Sequence, residues 1–192
     1  MRKIIIDYAH GINIAGKGSP DGRHKEWRWS REILKQVILR LEEAGVPVSI
    51  SNPSDYEFGL IKRLHIMNSI PAPAFVFSLH NNAAGMGDAW KNARGASIWT
   101  TYGRTKSDGY ATNIYSTLAE RIPEISWRKD ITDGDVDYES NFTVLMSIHP
   151  SVLLEWGFQD NKEDLELINR DDIEERLVCT LSEILIEIAK QG

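Results

Sequence analysis

Apolar positions along the chain recur with two periods, one near two and one near 3.6, and each switch between them marks a new element. Residues 3–9 form a β-rich apolar run, and the glycine-punctuated stretch 11–22 must be loop. Across residues 27–44, Ile33, Leu34, Val37, Ile38 and Leu41 fall at helical spacing, which predicts a helix with one buried face. Gly45 and Pro47 stop it. Residues 46–50 read as a second strand. Ser54 and Asp55 predict the cap of a helix reaching residue 68, with Leu60, Ile61, Leu64 and Met67 as its stripe. Residues 74–79 are the continuous apolar run of a strand covered on both faces. Residues 81–95 read as loop, 97–101 as a strand, and 108–121 as a helix with Ile114 and Leu118 inward. An acidic loop over 128–140 precedes a buried strand, 151–154, that ends at Glu155. A final helix over 171–190 buries Ile173, Leu177, Leu181, Ile184, Leu185 and Ile188. No repeat or linker divides the pattern, which predicts one α/β domain over residues 1–192 with a mostly parallel, helix-covered sheet.

Composition removes several classes of function. A chain of 192 residues, 42% hydrophobic and 26% charged, suits one soluble core, and a monomer is expected. Its longest apolar runs are about half a dozen residues, against the ~20 that span a bilayer, so no transmembrane segment is expected. The net charge of -6 argues against a nucleic-acid partner. Cys179 is the single cysteine, which excludes a disulfide framework or a cysteine-rich zinc module. Asp7 cuts short the apolar start, so residues 1–9 do not read as an export signal. The expectation is synthesis in the cytoplasm without a signal peptide, or a domain trimmed from a larger exported enzyme.

Ligands of open α/β sheets bind at the carboxyl ends of the strands. The first apolar run closes on His10, the third on His80 and the last on Glu155. Glu26 begins the helix after the first loop and can fold back to the same edge. Two imidazoles and a carboxylate suit Zn²⁺ and leave a fourth position for water, whose pKa the ion lowers to about 7. A carboxylate outside that set would take the water's proton and pass it to a leaving amine. His10, Glu26 and His80 as ligands and Glu155 as base match this division. Glu155 closes Val152, Leu153 and Leu154 and is flanked by Trp156, a setting costly for a carboxylate without a compensating cation.

Plainer readings stand beside these. His10 and His80 also read as histidines hydrogen-bonded at strand ends, and Glu26 as a first-turn acid favoured by the helix dipole. His24, two residues before Glu26, is the rival ligand, and His149 is a candidate for substrate binding or oxyanion stabilisation; both also read as ordinary loop histidines. His65, within a helical pattern, reads as structural. The run G-I-N-I-A-G-K-G at residues 11–18 is one residue short of a phosphate-binding loop. Gly18 replaces the hydroxyl residue, and Pro20 and Gly22 block the helix that should follow. Asp130, Asp133, Asp135, Asp137 and Glu139 hint at calcium but lack the glycine of an EF-hand, so a solvated loop is expected. Trp27, Trp29 and Trp90 lie in or beside the presumed cleft loops, where they stack on sugars or pack.

Four stretches resemble the zinc-dependent N-acetylmuramoyl-L-alanine amidases of the Amidase_3 kind. I-I-D-Y-A-H-G at residues 5–11 is similar to the opening strand ending in a zinc histidine, and Glu26 to the zinc glutamate starting a helix that ends in A-G-V-P-V. F-S-L-H-N-N-A at residues 77–83 is similar to the strand with the second zinc histidine. P-S-V-L-L-E-W-G-F-Q-D-N at residues 150–161 is similar to the segment bearing the catalytic glutamate, and is the most specific of the four. The resemblance spans nearly the whole chain in the same order. It implies a three-layer α/β/α fold of the phosphorylase/hydrolase-like kind around a six-stranded sheet. It also implies zinc held by His10, Glu26 and His80, and hydrolysis of the amide between N-acetylmuramic acid and L-alanine in peptidoglycan with Glu155 as catalytic base. Asn82 is a candidate substrate contact, and the loop 81–95 is expected to wall the groove. A bare domain of this kind resembles a phage or prophage lysin. Ala9 replaces a usual glycine, and G-A-S at residues 95–97 lacks a usual acid; neither change removes a ligand. A zinc peptidase cutting the stem peptide and a non-catalytic wall-binding domain of the same fold are the alternatives.

Overall fold

The computed structural model describes residues 1–191. In chain order the elements are β1 (Lys3–Tyr8), α1 (Glu26–Glu43), β2 (Val48–Ile50), α2 (Leu60–Asn68), β3 (Ala74–Asn82) and β4 (Ser97–Thr100). They are followed by α3 (Lys106–Arg121), β5 (Tyr138–Glu139), a 3₁₀ turn (Thr143–Leu145), β6 (Ser151–Phe158), α4 (Lys162–Ile168) and α5 (Asp171–Lys190). The strands form one sheet in the order β2-β1-β3-β6-β4-β5, parallel throughout except where β4 runs antiparallel to β6. The expected six-stranded, mostly parallel sheet between helices is present. Among the described residues no helix is long and apolar enough to cross a membrane.

Alternating side chains leave the sheet on opposite faces, and here the faces are unequal. Ile4, Ile6, Phe75, Phe77, Val152 and Leu154 point into a large core shared with α1, α3 and α5. Ile5, Val76 and Leu153 point the other way, into a small cluster with Met67 of α2 and Val144 and Leu145 of the 3₁₀ turn. Each such residue taken fully from water contributes roughly 1.5–3 kcal/mol, so the α1/α3/α5 face carries most of the stabilisation. The thinner face leaves room for a cleft.

The structure moves several predicted boundaries. α2 starts at Leu60 rather than at Ser54: the Ser54 hydroxyl accepts from Tyr56 N at 3.0 Å in a local turn, and Gly59 at φ +87° immediately precedes the helix. Residues 54–59 instead pack over the first loop, so closely that a Cβ on Gly11 would lie 2.1 Å from Glu57 N. β3 continues through His80 to Asn82 and β6 through Glu155 to Phe158, so those two residues are opposed inside the strands rather than at their ends. β5 lies within the predicted acidic loop, and α4 was not predicted; Asn161 caps it by accepting from Glu163 N and Asp164 N.

Candidate metal and catalytic site

The carboxyl ends of β1, β3 and β6 meet because those strands are parallel neighbours, and α1 lies across them. Its Ser30 hydroxyl donates to Leu79 O at 2.8 Å and accepts from Ala9 N at 3.0 Å, fixing both strands one residue before their histidines. Four residues earlier on the same helix, Glu26 is 1% exposed.

Glu26 is the hub. Its Oε1 lies 3.0 Å from His80 Nδ1 and 3.5 Å from His10 Nε2, and accepts from Asn81 N at 3.2 Å. Its Oε2 accepts from Gln159 Nε2 at 3.0 Å. Burial pushes the Glu26 carboxyl up, but hydrogen bonds and charge from His10 and His80 prevail and hold it well below the usual range. The two imidazoles stand edge to face, with centroids 5.1 Å apart. His10, Glu26 and His80 each offer a ligand atom within 4.8 Å of the others, the only such group of three among the described residues.

Glu155 faces His80 across the β3–β6 register. Burial, and then the negative charge of Glu26, push its carboxyl up to about 8, with Lys17 pulling the other way. Its Oε2 and the His80 Nε2 are buried without a hydrogen-bond partner. Buried polar atoms are rarely left so; with Nδ1 donating to Glu26, His80 Nε2 carries a bare lone pair, and two orphaned lone-pair atoms beside an imidazole–carboxylate cluster are what a cation site needs. The set fits Zn²⁺: two nitrogens, one ionised carboxylate, and an open cleft. That cleft, about 380 Å³, is lined by His10, Lys17, Leu60, His80, Phe142 and Glu155, among others.

Other predicted residues fall elsewhere. His149 precedes β6, at the amino edge of the sheet, where its Nε2 bonds Ile70 O at 3.1 Å. Four steps along the strand, about 13 Å, separate Ser151 from Glu155, so His149 cannot reach the cluster. His24 is buried rather than a loose loop histidine, and is not a ligand: its ring nitrogens are tied to Asn81 Oδ1 at 2.9 Å and Asn169 Oδ1 at 3.0 Å. Asn82 uses its Oδ1 on Ala83 N and its backbone oxygen on Gln159 N, and it does not line the cleft. The wall nearest the histidines comes from residues 141–144 and Leu60, not from 81–95. Trp29 is core, its indole donating to Glu174, whereas Trp90 lines a separate groove with Lys162 and Arg23. Lys17 and Gln159 were missed. Gln159 was legible only as part of the 150–161 stretch, and Lys17 only as part of the glycine loop.

A family model described as N-acetylmuramoyl-L-alanine amidase (Amidase_3) matches residues 4–186. No curated protein sequence matches the chain. Among solved structures, the catalytic domain of CwlV, an amidase from Bacillus (Paenibacillus) polymyxa, superposes with a TM-score of 0.83 at 20% identity, covering 99% of each chain. An N-acetylmuramoyl-L-alanine amidase from Clostridium difficile 630 gives 0.80 at 23% identity, over 97% of this chain and 95% of that one. The catalytic domain of the CD27L endolysin, which targets the same species, gives 0.70 at 20% identity, over 97% and 98%. At these identities the likeness is one of fold.

Proposed function

The chain belongs to the N-acetylmuramoyl-L-alanine amidase family, and from that premise we propose that it is a zinc-dependent hydrolase of the bond between N-acetylmuramic acid and L-alanine in peptidoglycan. The observation that carries the zinc is the convergence of His10, Glu26 and His80 beside a cleft lined by His10, His80 and Glu155, with buried polar atoms there left unpaired. These three residues would hold the ion. When bound, it supplies Lewis acidity, polarising the scissile carbonyl and making water acidic enough to lose a proton near neutral pH.

The protein's own groups do the rest. Glu26 stays ionised because two imidazoles face it, and Gln159 and the Asn81 amide occupy its other lone pairs. Glu155, opposite His80, accepts the proton of the attacking water and donates it to the departing nitrogen. The C–N bond breaks, the nitrogen leaves as the free amine of L-alanine, and the lactyl group keeps a carboxylate. A positive neighbour lowers the Glu155 pKa from its raised value, as a base requires; Lys17 supplies part of that effect already.

Mass spectrometry of soluble products from purified peptidoglycan tests this reading. Stem peptides with a free N-terminal L-alanine are expected. Cut peptides still attached to sugar would move the assignment to a stem-peptide peptidase, and a zinc-loaded protein that releases nothing would favour a wall-binding role.

A further inference from the structure

His10 is the one non-glycine among the described residues with a left-handed backbone, at φ +43°. L residues avoid that region because Cβ crowds the following carbonyl, so something in the fold must hold it there. Its side chain lies against Glu26 and His80, and the peptide after it turns back under residues 54–59.

The structure points to Arg31, one turn and a residue after Glu26 on α1. Arg31 is 3% exposed, yet the carboxylate in ion-pair range, Asp55, is largely in solvent and 3.5 Å from its Nε. Its guanidinium is occupied by main chain instead. Nη1 donates to Ala9 O at 3.0 Å and Trp27 O at 2.9 Å; Nη2 donates to His10 O at 3.0 Å and Ser54 O at 2.8 Å. The planar group also lies 5.1 Å from the Tyr8 ring centroid. Four carbonyl oxygens from three separate segments thus converge on one fork, a geometry that lysine's single ammonium cannot reproduce.

Two of those oxygens belong to the peptides on either side of the His10 Cα. Holding both fixes φ and ψ at His10, and with them the direction of its imidazole. We propose that Arg31 is a positioning residue: by gripping Ala9 O and His10 O it keeps His10 left-handed and sets its spacing from Glu26 and His80 before any ligand arrives. Because Arg31 and Glu26 ride on the same helix, one rigid element places a carboxylate ligand and the backbone of an imidazole ligand together. The consequence for metal affinity rests on the zinc reading above; the consequence for the His10 backbone does not.

The test compares wild type, Arg31→Lys and Asp55→Asn, each first shown to be folded by circular dichroism and a thermal melt. In metal-free protein, the three-bond HN–Hα coupling and Cα shift of His10 report its φ. Wild type and Asp55→Asn should give a positive φ, and Arg31→Lys a value averaged toward the right-handed or extended regions. Zinc dissociation constants from chelator competition should be unchanged in Asp55→Asn and raised at least tenfold in Arg31→Lys. If Arg31→Lys does not fold, Arg31→Gln, a shorter neutral donor, takes its place. An unchanged His10 backbone in the folded variant overturns the proposal. So does an equal loss of zinc in Asp55→Asn, since the ion pair and not the carbonyl grip would then matter, and so does failure of both Arg31 variants to fold. A wild type that takes up no zinc counts against the metal reading, and the His10 coupling still decides the role of Arg31.

Discussion

Two buried polar networks lie a few residues apart on β1 and β3, and they are built to opposite ends. Around Asp7, every group is satisfied from within. Arg63 Nε donates to its Oδ1 at 2.9 Å and Nη2 to its Oδ2 at 2.5 Å, while the Ser51 and Ser78 hydroxyls supply the remaining donors. The leftover guanidinium hydrogens go to Glu57 and Tyr8 O. Around Glu26, at the start of α1, the count does not close: His80 Nε2 and Glu155 Oε2 have no partner, and the Glu155 carboxyl is pushed up to about 8 by burial and by Glu26. Both networks are desolvated, so burial alone does not distinguish a site from a staple. The difference lies in the unpaired atoms and in the cleft that reaches them.

The largest effect expected from breaking this comparison is on turnover. Glu155→Ala should keep zinc and lose hydrolysis by on the order of 10²- to 10⁴-fold, since a general acid–base group of this kind contributes that much. Retained hydrolysis of purified peptidoglycan would remove Glu155 from the reaction. His80→Ala should lose the metal as well, read by zinc content after gel filtration.

The Asp7 network should answer in stability instead. Arg63→Met leaves a carboxylate buried and unpaired, a change that costs about 3–5 kcal/mol in comparable sites, measured by urea denaturation. The variant that remains folded should still bind one zinc. The pH dependence follows from the same pair: burial raises the Asp7 carboxyl, Arg63 and the two serines more than offset it, and the net pKa is below the ordinary 3.8. A depressed carboxylate stabilises the fold above its unfolded pKa and loses that contribution as pH falls through the folded one. The Asp7 contribution should therefore begin to fade near pH 4 and continue to fall below it.

Adding zinc should produce the next smaller change. A ligand bound only by the native state at a hundredfold its dissociation constant adds about 2.7 kcal/mol. Wild type should melt higher with zinc and lower with a chelator, and His80→Ala should show no difference between the two.

Most of this frame was readable in the chain because it rests on local pattern. Ile4, Ile6, Phe75 and Phe77 had to be strand, and the long stripes of α1 and α5 had to be helices, whatever they packed against. His10, His80 and Glu155 were visible because apolar runs lead into them. What escaped depends on contacts distant in sequence. β5 is two residues long and exists only through its pairing with β4. His149 follows the same chemistry as His80 but enters its strand from the other end, and only topology separates those edges. Arg31 did leave a trace: it interrupts the apolar stripe of α1 between Trp27 and Leu34, and a charge in such a stripe must find partners inside the fold. Which partners, the carbonyls of Ala9, His10 and Ser54, no spacing rule could say.

A third network falls between the two and sharpens the rule. Asp135 Oδ1 and Asp137 Oδ1 are also buried without partners, while Asp137 Oδ2 accepts from the Thr100 hydroxyl at 2.5 Å. Unlike the Glu26 cluster, it has no imidazole, and no third ligand atom joins it. Two like charges in that position are relieved by a proton. Burial first, then Asp135 and Asp108, push the Asp137 carboxyl up to about 7. A raised carboxylate pKa means the folded state holds the proton longer than the unfolded one, so stability falls as pH rises from about 4 to 7 and then levels. Asp137→Asn, which mimics the protonated form, should match wild type near pH 4 and melt higher at pH 8. The surrounding loop is exposed and Thr100 supports the ionised form, so the gain should stay near 1 kcal/mol, or about 2–4 °C. A gain of the same size at both pH values would mean that packing, not charge, sets it. Unpaired carboxylate oxygens would then mark a site only where, as at Glu155, imidazoles stand within reach to share a cation.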